Sequence, residues 1–170
     1  MHIELLILRL VHVLGGIAWV GFAAYNTFYL VPTLTEMGPA AGAVTAGLQK
    51  RKLFTVLPII AVVTMLAGIR LMMLVAAGSN GTWFTSATGR AISFGAAASI
   101  AGFALGLAVA RPAMMRSAAL MAERASASAD RQREIDGEVT KLRARGGWSA
   151  KWSTYLLLAA AAAMAVARYV

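Results

Sequence analysis

Four long runs of apolar residues, separated by polar segments, dominate the pattern along the chain. A membrane-spanning helix needs about 20 mostly apolar residues, and each run has roughly that length. The first apolar run ends at Val31-Pro32 and the third at Arg111-Pro112. The pattern therefore predicts membrane-spanning helices at residues 3–31, 54–77, 91–111 and 152–169.

The segment 112–151 has a different pattern, because it is charged and rich in alanine and other helix formers. Ile135, Val139 and Leu142 recur at helical spacing within it. We predict that the third helix extends into this segment and that a short amphipathic helix follows, closed by Gly146-Gly147. The fold class predicted for residues 1–170 is a single all-α domain. It is an integral membrane four-helix bundle with a cytoplasmic helical extension between the third and fourth helices.

Composition supports a membrane protein. Of the 170 residues, 59% are hydrophobic, whereas soluble domains are usually about 45–50% apolar. Cysteine is absent, which excludes disulfides, thiolate metal sites and iron–sulfur clusters. The N-terminal segment lacks the basic region and cleavage site of a signal peptide, so residues 3–31 are expected to stay in place as a span.

The positive charges are distributed unevenly between the two sides of this predicted bundle. The net charge is +9, but most basic residues flank apolar runs, so we expect a lipid bilayer and no nucleic acid as partner. The positive-inside rule then places both termini outside the cytoplasm. Four of the 16 basic residues (Arg9, Arg70, Arg90 and Arg168) lie on the outer side, and the other 12 lie on the inner side: Lys50, Arg51, Lys52, Arg111, Arg116, Arg124, Arg131, Arg133, Lys141, Arg143, Arg145 and Lys151.

His12 is an ionisable residue inside the first predicted span, where such residues are rare and usually functional. At 100° per residue it shares a helix face with Gly16 and Trp19, together with Leu5, Leu8, Ala23 and Asn26. Gly16 removes bulk one turn from the imidazole, and Trp19 adds a flat wall. This face is predicted to form a slot for a flat ligand.

Arginines on the outer side suggest that such a ligand is anionic. Arg9, Arg70 and Arg168, with Arg90, are expected at or above the depth of His12, and Glu4 is the one acid in that half. Haem b fits these residues, with imidazole on the iron and arginines on the propionates. Two alternatives stay open: His12 forms an interhelical hydrogen bond, or it binds copper with Met65 or Met164.

Short motifs add a family resemblance. They are His12-x6-Trp19-x-Gly21 followed by "FYLVPTL", a "P…AGI" segment in the second span and "ARP" at the end of the third. This pattern resembles the CopD-like group of small bacterial membrane proteins, which includes relatives of copper resistance protein D. It is more distantly similar to the HemJ-type haem-binding four-helix proteins. The resemblance implies a haem b or copper site at His12, and Met65 or Met164 is a candidate further metal ligand.

Two function classes follow from these observations. The first is a haem-b-binding protein with a redox or electron-transfer role, working with quinone. The second is a non-enzymatic copper- or haem-handling protein, or an accessory subunit of a larger membrane complex. A second copy of the chain, forming a homodimer, is an alternative partner. The expected location is the bacterial inner membrane, with both termini in the periplasm. The spans contain no nucleophile–base pair, phosphate-binding loop or paired carboxylates, so the sequence assigns no enzymatic reaction.

Overall fold

The computed structural model describes residues 2–170, except for the side chains of His2 and Pro39. The chain is 92% helical, and no strand occurs among residues 2–170, so the all-α prediction is confirmed. In chain order the α-helices are α1 (His2–Tyr25), α2 (Val31–Glu36), α3 (Ala41–Lys50), α4 (Leu53–Ala76), α5 (Ala87–Leu105), α6 (Arg111–Arg124) and α7 (Ala129–Val166).

Four stretches of helix are long and apolar enough to cross a membrane, as predicted. They are Ile3–Glu36, Leu53–Ala76, Ala87–Arg124 and Ala129–Tyr169. The last two contain 38 and 41 residues, which corresponds to about 57 and 62 Å at a rise of about 1.5 Å per residue. Because the hydrocarbon core of a bilayer is about 30 Å thick, both stretches extend well beyond it.

The spanning helices associate as two antiparallel pairs, α1 with α4 and α5 with α7. Glycine allows the close approach in each pair. A β-carbon on Gly15 would collide with the hydroxyl of Thr64, and one on Gly102 would lie 3.1 Å from the carbonyl oxygen of Ser153. Small residues commonly allow this kind of packing in membranes, where lipid provides no hydrophobic force between helices.

The two pairs are joined mainly through α1 and α7. The hydroxyls of Thr27 and Thr154 are 2.8 Å apart, and Thr154 also donates to the carbonyl of Ala23 over 3.3 Å. Further along α1, the ring of Trp19 makes an edge contact with Phe103 of α5, with 5.9 Å between ring centroids. The bundle is therefore held together by hydroxyl pairs and aromatic contacts as well as by packing of small residues.

Pro32 does not end its helix, contrary to the end predicted at Val31-Pro32, whereas the helix that contains Pro112 continues past it, in agreement with the predicted extension of the third helix. A π turn precedes each proline, at Asn26–Leu30 and Gly106–Ala110, and joins α1 to α2 and α5 to α6. Proline lacks an N–H and its ring clashes with the carbonyl four residues earlier. A single π turn alters the hydrogen-bond pattern locally, and the helix continues past the proline.

Beyond the spans, α6 and the first half of α7 form an antiparallel hairpin. Its buried core consists of Leu120, Ile135 and Val139. The hydrogen bond from Arg124 to Asp136 holds the pKa of that carboxyl below its ordinary value. Ion pairs along the hairpin join Arg116 to Glu138, Arg124 to Asp136, Arg131 to Glu123 and Glu134, and Arg133 to Asp130.

The predicted end of a separate short helix at Gly146-Gly147 is wrong, because α7 runs through both glycines without interruption. A β-carbon on Gly146 would lie 3.3 Å from that of Ala113. Glycine therefore serves here to bring α7 close to α6. Packing along the hairpin outweighs the cost of about 1 kcal/mol that glycine carries inside a helix.

The segment between the first two spans lies at the same end of the bundle as the hairpin. A cleft of about 360 Å³ is bounded on one side by Val31, Pro32 and Glu36, and on the other by Gly147 and Lys151. The two most basic segments of the chain therefore share one end, as a four-span topology requires.

Replacement of Gly102 tests the packing of α5 on α7. We expect Gly102→Leu to destabilise the bundle by about 1–3 kcal/mol, because the added side chain enters an already close-packed contact. A lower midpoint of thermal unfolding in detergent would show this. Gly21→Leu is the control, since a β-carbon at Gly21 meets nothing within 4 Å. Equal midpoints for both variants would contradict the packing described for Gly102.

Candidate functional site

His12 lies on the face of α1 that packs against the rest of the bundle. The residues predicted to share its face are all half-buried, whereas their neighbours around the helix are mostly exposed. They are Leu5, Leu8, Gly16, Trp19, Ala23 and Asn26. The helical periodicity therefore identified the inward face of α1 correctly.

The imidazole of His12 bridges α1 and α4. Its Nδ1 atom lies 2.8 Å from the backbone carbonyl oxygen of Thr64. A carbonyl can only accept a hydrogen bond, so Nδ1 is the protonated nitrogen of the neutral ring. The hydrogen bond thus fixes both the orientation of the ring and its tautomer.

Two residues of α4 that the sequence analysis did not select make room for this bond. A β-carbon on Gly68 would lie 2.5 Å from Cε1 and 2.7 Å from Nδ1 of His12. Thr64 directs its own hydroxyl back to the carbonyl of Ile60 over 2.7 Å. The spacing of Thr64 and Gly68, one helical turn apart, is the sequence signal of a close helix contact that could have identified them.

The second ring nitrogen, Nε2, remains available. Within residues 2–170 it has no hydrogen-bond partner, and no buried side-chain nitrogen or oxygen in that range lacks one. Nε2 of His12 is therefore not completely enclosed by the described residues. In the tautomer fixed by Thr64 it carries a lone pair, which is the form of imidazole that binds a metal.

Gly16 and Trp19, the other two residues of the predicted slot, differ in their surroundings. A β-carbon on Gly16 meets nothing within 4 Å, so the space beside it is open. Trp19, seven residues from His12, is half-buried and held by its edge contact with Phe103. One open position and one fixed aromatic side chain thus flank the imidazole along α1.

The arginines proposed to bind an anion differ in their surroundings. Arg70 donates two hydrogen bonds to Glu4, of 2.8 and 3.0 Å, so it already has an anionic partner. Arg9 is exposed and has no carboxylate partner in the described part of the chain. Arg168 lies over the ring of Tyr169 at 5.0 Å, in a terminal turn that packs against α5, and Arg90 is exposed at the start of α5. Of the arginines, Arg9 and Arg70 belong to the same helix pair as His12.

The two candidate methionines lie on different helices from His12, Met65 on α4 and Met164 on α7. Met164 fills the space opposite Gly95, where a β-carbon would lie 2.9 Å from its Cγ. Met65 is half-buried on α4, next to Thr64. Among residues 2–170 no group of three or more histidine, cysteine or acidic side chains is arranged to hold a metal.

Comparison of the chain with protein-family models, with curated proteins and with solved structures finds no match. The resemblance to CopD-like and HemJ-type proteins therefore stays a prediction that depends on the short motifs of the first three spans.

The contact between His12 and Gly68 can be tested by a double-mutant cycle. We expect Gly68→Ala to cost about 1–3 kcal/mol, because the added methyl group enters the space of the imidazole. His12→Ala alone should cost about 0.6 kcal/mol, a typical value for an interhelical hydrogen bond. In the His12→Ala background the Gly68→Ala cost should largely disappear. Thermal unfolding of ligand-free protein measures all four forms.

Gly16→Ala serves as the control for this cycle, because an added methyl group there meets nothing within 4 Å. It should leave the unfolding midpoint of ligand-free protein unchanged. An equal cost of Gly68→Ala with and without His12 would show that the ring does not lie against Gly68.

Proposed function

We propose that this protein binds haem b in a membrane and has a redox or electron-transfer role. One observation carries the proposal: His12 uses Nδ1 for a hydrogen bond to a backbone carbonyl and leaves Nε2 without a hydrogen-bond partner in the described chain. Metal-bound histidines almost always have this arrangement, in which the second nitrogen donates to a carbonyl or carboxylate.

The residues beside His12 fit a flat ligand. The open space at Gly16 would admit the edge of a macrocycle, and Trp19 would border it. Arg9 would bind a propionate, since it has no carboxylate partner of its own in the described chain. To bind a propionate, Arg70 would have to share its charge between Glu4 and the ligand. Arg168 would have to turn away from the ring of Tyr169.

When bound, haem iron supplies one-electron chemistry, and its potential depends on ligation and surroundings. The chain's own part is to hold the ligand nitrogen. The carbonyl of Thr64 accepts from Nδ1 and makes Nε2 a more basic ligand. A site between apolar helices would also exclude water, and Met65 or Met164 would remain the candidates for a further ligand to the metal. A quinone is the membrane-soluble partner that such a centre would serve.

A second candidate function is a non-enzymatic one: a subunit of a larger membrane complex, or a protein that handles copper or haem. The exposed surface of α1 favours this second function. In the most apolar 18-residue window of the first span, 0% of residues are fully buried. That surface is wide enough for lipid, a second copy or another subunit.

We further propose that the protein lies in the bacterial inner membrane with both termini in the periplasm. The two segments that contain most basic residues share one end of the bundle. The positive-inside rule assigns that end to the cytoplasm.

Haem retention tests the role of His12. Wild-type protein expressed with ample haem should purify with a Soret band, and His12→Gly should lose it while remaining helical by circular dichroism. Added imidazole should restore the band in His12→Gly, because free imidazole can replace the missing ligand but cannot rebuild a link between helices. Arg9→Ala should weaken retention by about 1.5–3 kcal/mol, the value of a hydrogen bond to a charged group.

Arg70→Ala should weaken haem retention less than Arg9→Ala, because Arg70 is already paired with Glu4. An unchanged Soret band in His12→Gly, or a wild-type protein that never retains haem, would overturn the proposal. His12 would then be a residue that joins α1 to α4 and no more.

The topology is tested with reporter fusions. A reporter active only in the periplasm, fused after Val170, should be active, and the same reporter inserted in the hairpin at Ser126 should be silent. The expected pattern follows from the distribution of the basic residues, of which 12 lie on the inner side and four on the outer side. The reverse pattern would place the termini in the cytoplasm.

A further inference from the structure

One exposed face of α7 changes from basic to aromatic along the helix axis. Its residues are separated alternately by four and three positions, so they align on one side of the helix. All are exposed, whereas Ile135, Val139, Ser149 and Leu157 are buried on another side. We call this face the α7 stripe; it consists of Lys141, Arg145, Trp148, Trp152 and Tyr155.

The aromatic part of the α7 stripe is continuous. Ring centroids are 6.5 Å apart for Trp148 and Trp152, and 6.0 Å apart for Trp152 and Tyr155. Phe28 of the first π turn extends the row, with its centroid 6.0 Å from that of Tyr155. Both tryptophans are at least half exposed, at 57% and 50%. Exposed tryptophan and tyrosine side chains of this kind are enriched at the level of lipid headgroups.

The basic part of the stripe has no counter-charge within the described chain. The five acidic residues of the hairpin are all paired with arginines nearer its tip. Lys141 and Arg145 are in none of these pairs. Lys151 does not belong to the α7 stripe, because it lines the cleft that Glu36 also lines. The base of the hairpin therefore presents unpaired positive charge on the same side as the tryptophans.

Distances along the axis match the layers of one membrane leaflet. At about 1.5 Å per residue, Arg145 lies about 4.5 Å and Lys141 about 10.5 Å from Trp148. The headgroup region of a leaflet is about 5–7 Å thick. With Trp148 at the boundary of the hydrocarbon, Arg145 lies among the phosphates, and the flexible side chain of Lys141 reaches them from above.

We propose that the α7 stripe is a binding site for an anionic phospholipid. Arg145 and Lys141 contact the phosphate and a second anionic group of the head, Trp148 and Trp152 lie beside the glycerol, and Tyr155 with Phe28 borders the first carbons of the acyl chains. The order of cation and aromatic along a single face is what a leaflet requires. A protein partner would impose no such order. This inference is independent of the haem proposal, which concerns α1 and α4.

Native mass spectrometry of the full-length protein, titrated with phosphatidylglycerol or phosphatidylcholine in detergent, tests the proposal. Phosphatidylglycerol should be retained at least about tenfold more tightly than phosphatidylcholine. Each cation near an anionic surface should contribute about fivefold, so Lys141→Gln with Arg145→Gln should weaken retention about thirtyfold. The preference should also fall as salt is raised, because these charges are exposed.

Arg143→Gln is the matched control. Arg143 lies between the two stripe cations in sequence, is exposed and has no ion pair within the described chain, but it points away from the stripe at 100° per residue. Its loss removes the same charge and should change retention less than twofold. Equal retention of the two lipids by wild type, or equal losses in Arg143→Gln and the double variant, would overturn the proposal. A wild-type dimer that the double variant converts to a monomer would overturn it too.

Discussion

Close approach of helix backbones is the constraint on which the rest of the structure depends. Lipid solvates an apolar helix as well as a neighbouring helix would, so there is no hydrophobic driving force between the spans. Packing and interhelical hydrogen bonds must therefore hold them together. Gly15 and Gly68 provide the close approach between α1 and α4, and Gly95 and Gly102 between α5 and α7. Where backbones come this close, carbonyl oxygens of one helix lie within reach of polar side chains on the next.

The polar contacts of the bundle follow from that geometry. Thr154 reaches the carbonyl of Ala23, Ser149 that of Leu105 and Ser153 that of Gly102, each across a helix contact. His12 makes the same kind of contact with Thr64. A hydroxyl can donate one hydrogen bond and is then satisfied as a donor. An imidazole that donates through one nitrogen keeps a lone pair on the other, so among these residues His12 is the one that offers a nitrogen lone pair, whereas the hydroxyls offer oxygen.

Sequence patterns predicted what depends on composition and on the periodicity of single helices. The spans, the inward face of α1 and the paired helical extension after Arg111 follow from such patterns. The register between helices does not: nothing within α1 indicates that His12 faces Thr64 and Gly68, or that Glu4 pairs with Arg70. These contacts connect residues more than 50 positions apart, and they are set by the packing of both helices together.

Local signals failed where tertiary packing outweighed them. Pro32 was predicted to end a helix, but a π turn before it lets the helix continue, and a second π turn precedes Pro112. Serine and threonine hydroxyls of α7 bond to carbonyls just before both turns, at Ala23 and Leu105, so α7 stabilises the irregular backbone from outside. The same helix passes through Gly146-Gly147 because α6 packs against it there. A glycine or proline in these spans therefore marks a place where a neighbouring helix comes close. Whether that residue interrupts its own helix depends on packing against the neighbouring helix.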